Sequence, residues 1–309
     1  MKTTRVAVIG LGDIAQKAYL PVVSRHPGLE IVSVMSRRQE TVDRICAEYR
    51  FPSGTTKLED VFRAEPDAVF LHSPTETHAE LALACLRNGQ HVYVDKPLSY
   101  DIRESEQMAE EALKRGKLLA VGFNRRFAPL YQAARAHIEE GGRMEYAVAE
   151  KHRIRQQKHS AKRTLYDDLI HMLDLLVWLA GEEPAAVGSS LRVDAEGRLL
   201  HGSGGVESRG FVGQFAMNRA AGSDLERLSL YGAGRSAEVT NLEQGLFSSV
   251  TGGEHTRSFG SWAGVLERRG FAGVIQHFLD SLDSPEECEL RADRTLATHR
   301  LVEQLIKQI

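Results

Sequence analysis

Apolar and polar positions along the chain follow two rhythms. Through residue 122, short and nearly unbroken apolar runs alternate with stretches of helical spacing. The pattern predicts strands over 5–9, 30–35, 67–71, 91–94 and 118–121. Helices are predicted over 13–24, 38–49, 77–88 and 102–114. Strands that are apolar throughout and separated by helices indicate a parallel sheet covered on both faces. After Gly122 the rhythm changes. A helix over 129–140 leads to a long, partly alternating strand over 145–155, then to a helix over 164–180 closed by Gly181. Strand-like runs over 186–193, 206–217, 226–231 and 237–242 follow without helices between them, and helices over 265–282 and 293–307 finish the chain. Consecutive strands joined by glycine-containing turns predict an open, mostly antiparallel sheet.

Composition narrows the class. A length of 309 residues exceeds one compact core and suits two domains. A net charge of −3 gives no basic field to attract nucleic acid. Cys46, Cys85 and Cys288 are far apart and lack CxxC spacing, so neither a disulfide framework nor a zinc site is expected, and no other metal is. The opening run MKTTRVAVIGLG is short and ends in glycines, reading as a first strand instead of a signal peptide. No run of about 18 apolar residues suggests a membrane span. A cytoplasmic location is the expectation.

The first candidate chemistry lies at the first strand–helix junction. Gly10-Leu11-Gly12-Asp13-Ile14-Ala15 is a GxGxxA motif between strand and helix. Gly10 permits a tight turn, Gly12 lets backbone approach a pyrophosphate, and Ala15 lets helix pack on strand. Asp13 and Ile14 open the helix, whose free N–H groups and positive dipole end suit phosphates. The second strand ends Ser36-Arg37-Arg38, with no carboxylate to hold a ribose hydroxyl. Guanidinium groups there suit a 2′-phosphate, which favours NADP(H) over NAD(H). Alternatively, the arginines are solvated helix openers or stack on adenine. The third strand ends His72-Ser73-Pro74-Thr75, with His78 beyond, at the sheet edge where a dinucleotide lies. These residues either touch the cofactor or cap the next helix. The fold class is thus α/β, with an N-terminal Rossmann doubly wound parallel sheet over 1–122 and a C-terminal α+β domain over 123–309.

Two further constellations carry candidate catalysis. The fourth strand runs into Asp95-Lys96-Pro97, where Lys96 either hydrogen-bonds a substrate oxygen beside the nicotinamide or is a loop lysine. On the helix 164–180, Asp167, His171 and Asp174 fall at i, i+4 and i+7, one line on an otherwise apolar helix. A histidine with a carboxylate one turn away suits proton transfer near neutral pH. Against this, Thr164-x-x-Asp167 fits a capping box, and the stripe also fits a plain wet face.

GLGDIAQ, HSPTETHAEL, VDKPL, VGFNRRFAPLY and DDLIHMLD, in this order, resemble the Gfo/Idh/MocA oxidoreductase family over essentially the whole chain, with wording nearest its MviM-like branch. The resemblance implies that His171 is the acid/base for a substrate hydroxyl, assisted by Lys96 and Asp167. It also places Asn124 and Arg125 near the nicotinamide and substrate, and implies an open C-terminal sheet often used for dimerisation, hence a homodimer or larger homo-oligomer. Asp95 replaces the family's glutamate. Ala161-Lys162-Arg163-Thr164-Leu165-Tyr166 replaces a glycine run, so family substrates do not transfer. Lys158, His159, Lys162 and Arg163 offer an anionic group a place, unless they form a solvated loop. The expected activity is hydride transfer between NAD(P) and a sugar, cyclitol or related polyol. The competing readings are a non-catalytic dinucleotide sensor and, with less support, a metal hydrolase using Asp167, His171 and Asp174.

Overall fold

A computed structural model of the chain describes residues 3–181 and 183–309. Backbone contacts divide it into two compact units, Met1–Gly122 with Val274–Leu296, and Phe123–Gly273 with Ala297–Ile309. The returning segment Val274–Leu296 is an addition to the first unit that a linear split at residue 122 does not contain.

The first unit is built on a six-stranded sheet: β1 (Thr4–Ile9), β2 (Leu29–Met35), β3 (Gly54–Thr55), β4 (Ala68–Leu71), β5 (His91–Val94) and β6 (Leu119–Val121). Their order is β3-β2-β1-β4-β5-β6, with every pairing parallel. Chain order reverses between β1 and β4, the switch point where open α/β sheets bind ligands beyond their carboxyl ends. β4 is buried along its whole length, as its unbroken apolar sequence requires. The two-residue β3 and the helix Leu58–Arg63 were not among the expected elements.

The second unit holds an eight-stranded sheet: β7 (Tyr146–His152), β8 (Ala185–Val193), β9 (Leu199–Ser208), β10 (Phe211–Asn218), β11 (Leu225–Gly232), β12 (Arg235–Thr240), β13 (Gln244–Ser249) and β14 (Gly253–Ser258). The order is β14-β13-β12-β11-β7-β10-β9-β8, antiparallel except for the β7–β10 pair. The single strand expected over 206–217 is two, turning at Arg209-Gly210. β13 and β14 lie beyond the last expected strand. In β7 every second residue is buried, and Ala147 and Ala149 form the inner face together with Lys151.

The helix Ile170–Ala180, buried from Ile170 to Leu179, packs on β7 and β10. Any Cβ at Gly213 would stand 2.9 Å from a Leu176 methyl, so this glycine lets helix and sheet close together. The helix expected over 265–282 is instead Val265–Arg268 and Phe271–Asp280, interrupted at Gly270.

Candidate active-site residues

In the first unit, the loop after β1 carries the dinucleotide motif. Gly10 has φ +92°, and any Cβ there would lie 2.3 Å from the Ser73 backbone nitrogen. The loop thus abuts the end of β4 at the switch point, and only glycine fits. The Cβ direction of Gly12 meets nothing within 4 Å, so its backbone faces open space. Asp13 and Ile14 open the helical stretch that follows, both exposed, with Asp13 paired to Lys17 at 2.7 Å. Glycine wedge, open backbone face and helix start together fit a pyrophosphate.

At the tip of β2, the Ser36 N–H donates to the Thr55 carbonyl at 3.2 Å, which is what the short β3 contributes. Arg37 and Arg38 are exposed, and among the described residues neither forms an ion pair.

The residues after β4 separate into distinct roles. His72 is buried, its ring stacked on Tyr19 at 3.8 Å, and neither ring nitrogen has a hydrogen-bond partner among the described residues. Burial, then the neighbouring His78, pushes its pKa down to about 3, so this imidazole is neutral. Ser73 accepts a hydrogen bond from the Thr77 hydroxyl at 2.8 Å, and Pro74 and Thr75 lead into the 3-10 turn Thr75–Thr77. His78 is also buried, with Nδ1 2.9 Å from the Pro97 carbonyl and Nε2 2.9 Å from the Ser73 carbonyl. It ties the segment after β4 to the segment after β5, fixing backbone immediately beyond Lys96. Asp95 and Lys96 are half-buried and Pro97 is buried. The Tyr19 hydroxyl donates to Asp95 Oδ1 at 2.9 Å and lies 3.1 Å from the Tyr93 hydroxyl. Tyr19 escaped the sequence reading because its spacing marks only a helix residue packed inward.

In the second unit the helix begins earlier than expected. Ser160 is its N-cap, accepting from the Arg163 N–H at 3.4 Å, so Thr164 and Asp167 do not form a capping box. A π-helical turn over Leu165–Leu169 joins Ala161–Thr164 to Ile170–Ala180. The wider turn breaks the simple i, i+4, i+7 line. Asp167 is half-buried beside Arg163, 3.4 Å away, and His171 is buried. Asp174 is no wet stripe: Arg126 grips it with two bonds of 2.9 and 2.6 Å, and Thr298 donates a third at 3.1 Å. Burial pulls the Asp174 pKa up against the opposing pull of Arg126.

Asp168, unremarked in the sequence, is the carboxylate at the centre of a buried charge cluster. Lys151 reaches it at 2.5 Å, Arg219 hydrogen-bonds it, and Arg153 lies 3.8 Å away. Burial alone would raise its pKa, but Lys151, Arg153 and Arg219 hold it well below the usual carboxylate range. Glu226 takes a two-bond fork from Arg125 at 3.0 and 3.2 Å. Burial of Lys151 brings its pKa down to about 8 despite Asp168 and Glu226. Asn124 is buried, donating to the Arg269 carbonyl at 2.7 Å and accepting from Arg125 at 3.1 Å. Of the basic run after β7, Lys158 and His159 are exposed, and Lys162 lies 3.9 Å from Glu303.

Among the described residues no helix is long and apolar enough to cross a membrane, and no cluster of metal-ligating side chains occurs.

Comparison with known proteins assigns the chain to a family. Residues 4–123 match an oxidoreductase family with an NAD-binding Rossmann fold, and residues 129–248 match a YceM-like C-terminal domain. YceM of Salmonella typhimurium is 32% identical over 307 residues, 99% of this chain and 98% of that protein. The scyllo-inositol 2-dehydrogenase (NAD(+)) of Bacillus subtilis is 27% identical over 81% of this chain and 75% of its own length. The crystal structure of the dehydrogenase MviM from Clostridium difficile superposes with a TM-score of 0.92 at 30% identity, covering 100% of both chains. Fold, dinucleotide loop and end-to-end similarity agree: the chain belongs to the Gfo/Idh/MocA oxidoreductase family.

Proposed function

We propose that this oxidoreductase transfers a hydride between a nicotinamide cofactor and a hydroxyl-bearing carbon of a sugar, cyclitol or related polyol derivative. The observation that carries the reading is the loop at the β1–β4 switch point, where Gly10 is wedged against the end of β4 and Gly12 presents open backbone. The scyllo-inositol dehydrogenase relative supports a cyclitol-like substrate. When bound at the Gly10–Gly12 loop, an oxidised nicotinamide cofactor would supply the hydride acceptor. In the oxidative direction, His171 takes the substrate hydroxyl proton. Lys96, held by the backbone that His78 ties down, stabilises the developing alkoxide. Asp167 orients His171. Asn124 and Arg125, bonded to Arg269 and Glu226, brace the second unit.

Wild-type protein mixed with NADP+ or NADPH and a panel of sugars, cyclitols and polyols is expected to change nicotinamide absorbance with at least one member. Cofactor binding without turnover across the panel would favour a dinucleotide sensor, a role that has no need of Lys96, Asp167 and His171 together.

NADP(H) is the proposed cofactor, because Arg37 and Arg38 stand exposed at the tip of β2 where no carboxylate does. Losing one charge-assisted bond to a 2′-phosphate costs about 1.5–3 kcal/mol. Arg37→Ala combined with Arg38→Ala is therefore expected to raise the NADPH Kd at least about tenfold and leave NADH binding nearly unchanged. Equal weakening of both cofactors in fluorescence titrations would remove the NADP assignment. Free Cys46, Cys85 and Cys288 suit the reducing cytoplasm. Exposed Val187, Val212, Tyr231 and Leu246 on strands of the second sheet support a homo-oligomer.

A further inference from the structure

The charge cluster of the second unit is out of balance. Among the described residues, Arg125, Lys151, Arg153 and Arg219 surround two carboxylates, Asp168 and Glu226. Arg269 adds a fifth cation: its carbonyl accepts from Asn124, whose side chain also holds Arg125, and its pKa is lowered first by partial desolvation and then by Arg125 and Arg153, with Glu226 opposing. Glu243, which also acts on Arg269, is 3.3 Å from Arg268. Arg126 contributes nothing to the excess, since Asp174 neutralises it. An uncompensated positive charge inside a protein is costly unless an anion offsets it.

Polar capacity is unfilled as well. The Tyr131 hydroxyl, which feels Glu226 and Arg125, and the Arg219 Nε are buried without a hydrogen-bond partner among the described residues. Access is graded: Arg125, Lys151 and Arg219 are buried, Arg153 is half-buried and Arg269 is exposed. The buried members set a positive field, and Arg153 and Arg269 are the donors a ligand can reach. Asp168 belongs to the same helical segment as Asp167 and His171, so the field borders the proposed proton-transfer groups.

We propose that the cluster binds the anionic group of the substrate, so that this enzyme acts on a polyol bearing a carboxylate or a phosphate, with Arg153 and Arg269 as its direct ligands. This rests on the polyol reading above and refines it. The position also differs from the basic run after β7, where Arg163 and Lys162 already face Asp167 and Glu303.

The test is calorimetric titration of NADPH-loaded protein with D-glucose, D-glucuronate and D-glucose 6-phosphate. At least one anionic probe is expected to bind about tenfold more tightly than glucose, as charge-assisted bonds require. The advantage should shrink as salt rises, and the tighter arm names carboxylate or phosphate. Arg269→Gln, at an exposed position, and Arg153→Gln should each remove most of that advantage without changing the NADPH Kd. No preference for either anion, including no binding by any probe, overturns the proposal. So does a loss of NADPH affinity in both variants, which would give the charge to the cofactor phosphates. Turnover of neutral polyols without anion preference would sink this inference and leave the dehydrogenase reading standing. Anion binding with no redox turnover of any polyol would sink the dehydrogenase reading and leave the cluster as an anion site alone.

Discussion

His171→Ala is expected to lower kcat about 10²–10⁴-fold, the usual contribution of a positioned general acid/base, while the Kd for NADPH stays within about twofold. The reason is division of labour. The imidazole is the group in this helix suited to accept a proton near neutral pH. It lies in the second unit, whereas the Gly10–Gly12 loop belongs to the first. Lys96→Ala should behave alike, since an ammonium facing a developing alkoxide acts in the transition state more than in the ground state. Asp167→Asn should cost less, because it removes only an orienting partner. Steady-state kinetics on the first polyol found to react, with cofactor titration alongside, separates the outcomes. Unchanged kcat in both alanine variants would remove His171 and Lys96 from the reaction.

The second large effect is on stability. Asp174→Ala is expected to destabilise the protein by about 3–5 kcal/mol, the range for removing one partner of a buried ion pair. Asp174 and Arg126 are both buried, and the carboxylate satisfies the guanidinium fork and the Thr298 hydroxyl together. Alanine leaves a desolvated guanidinium without this carboxylate. Asp174→Asn should recover little, because the amide keeps the shape and loses the charge. Urea unfolding followed by circular dichroism measures the loss, and a midpoint near wild type would show that the pair is not structurally important.

Long periodic elements and the dinucleotide loop were legible in the sequence because they rest on local rules. Continuous apolar runs set β1, β2, β4 and β5 within a residue or two. Gly10 and Gly12 announce their roles by position between strand and helix. The two-residue β3 carries too little pattern to be seen. The run over 206–217 takes in only the end of β9, a strand rich in glycine and serine, together with β10 beyond the turn at Arg209-Gly210, so one run concealed a hairpin.

The charged interior was harder for a different reason. Lys151 occupies the buried phase of the alternation begun by Ala147 and Ala149, which is the one signal that could have found it. A lysine in that phase contradicts the usual rule that it faces water. Its partners Asp168 and Glu226, and the Arg126–Asp174 pair, lie far apart in sequence and meet only through tertiary structure. The π-helical turn also shifts which of the adjacent Asp167 and Asp168 points into the cluster, a choice that helical spacing alone does not make.

Direct hydride transfer is the centre of the account, and isotope tracing reads it most directly. A polyol that reacts, prepared with deuterium on its carbinol carbon, should deliver that deuterium to C4 of the reduced nicotinamide recovered from the wild-type reaction. Deuterium released to water, with none on the nicotinamide, would contradict the account.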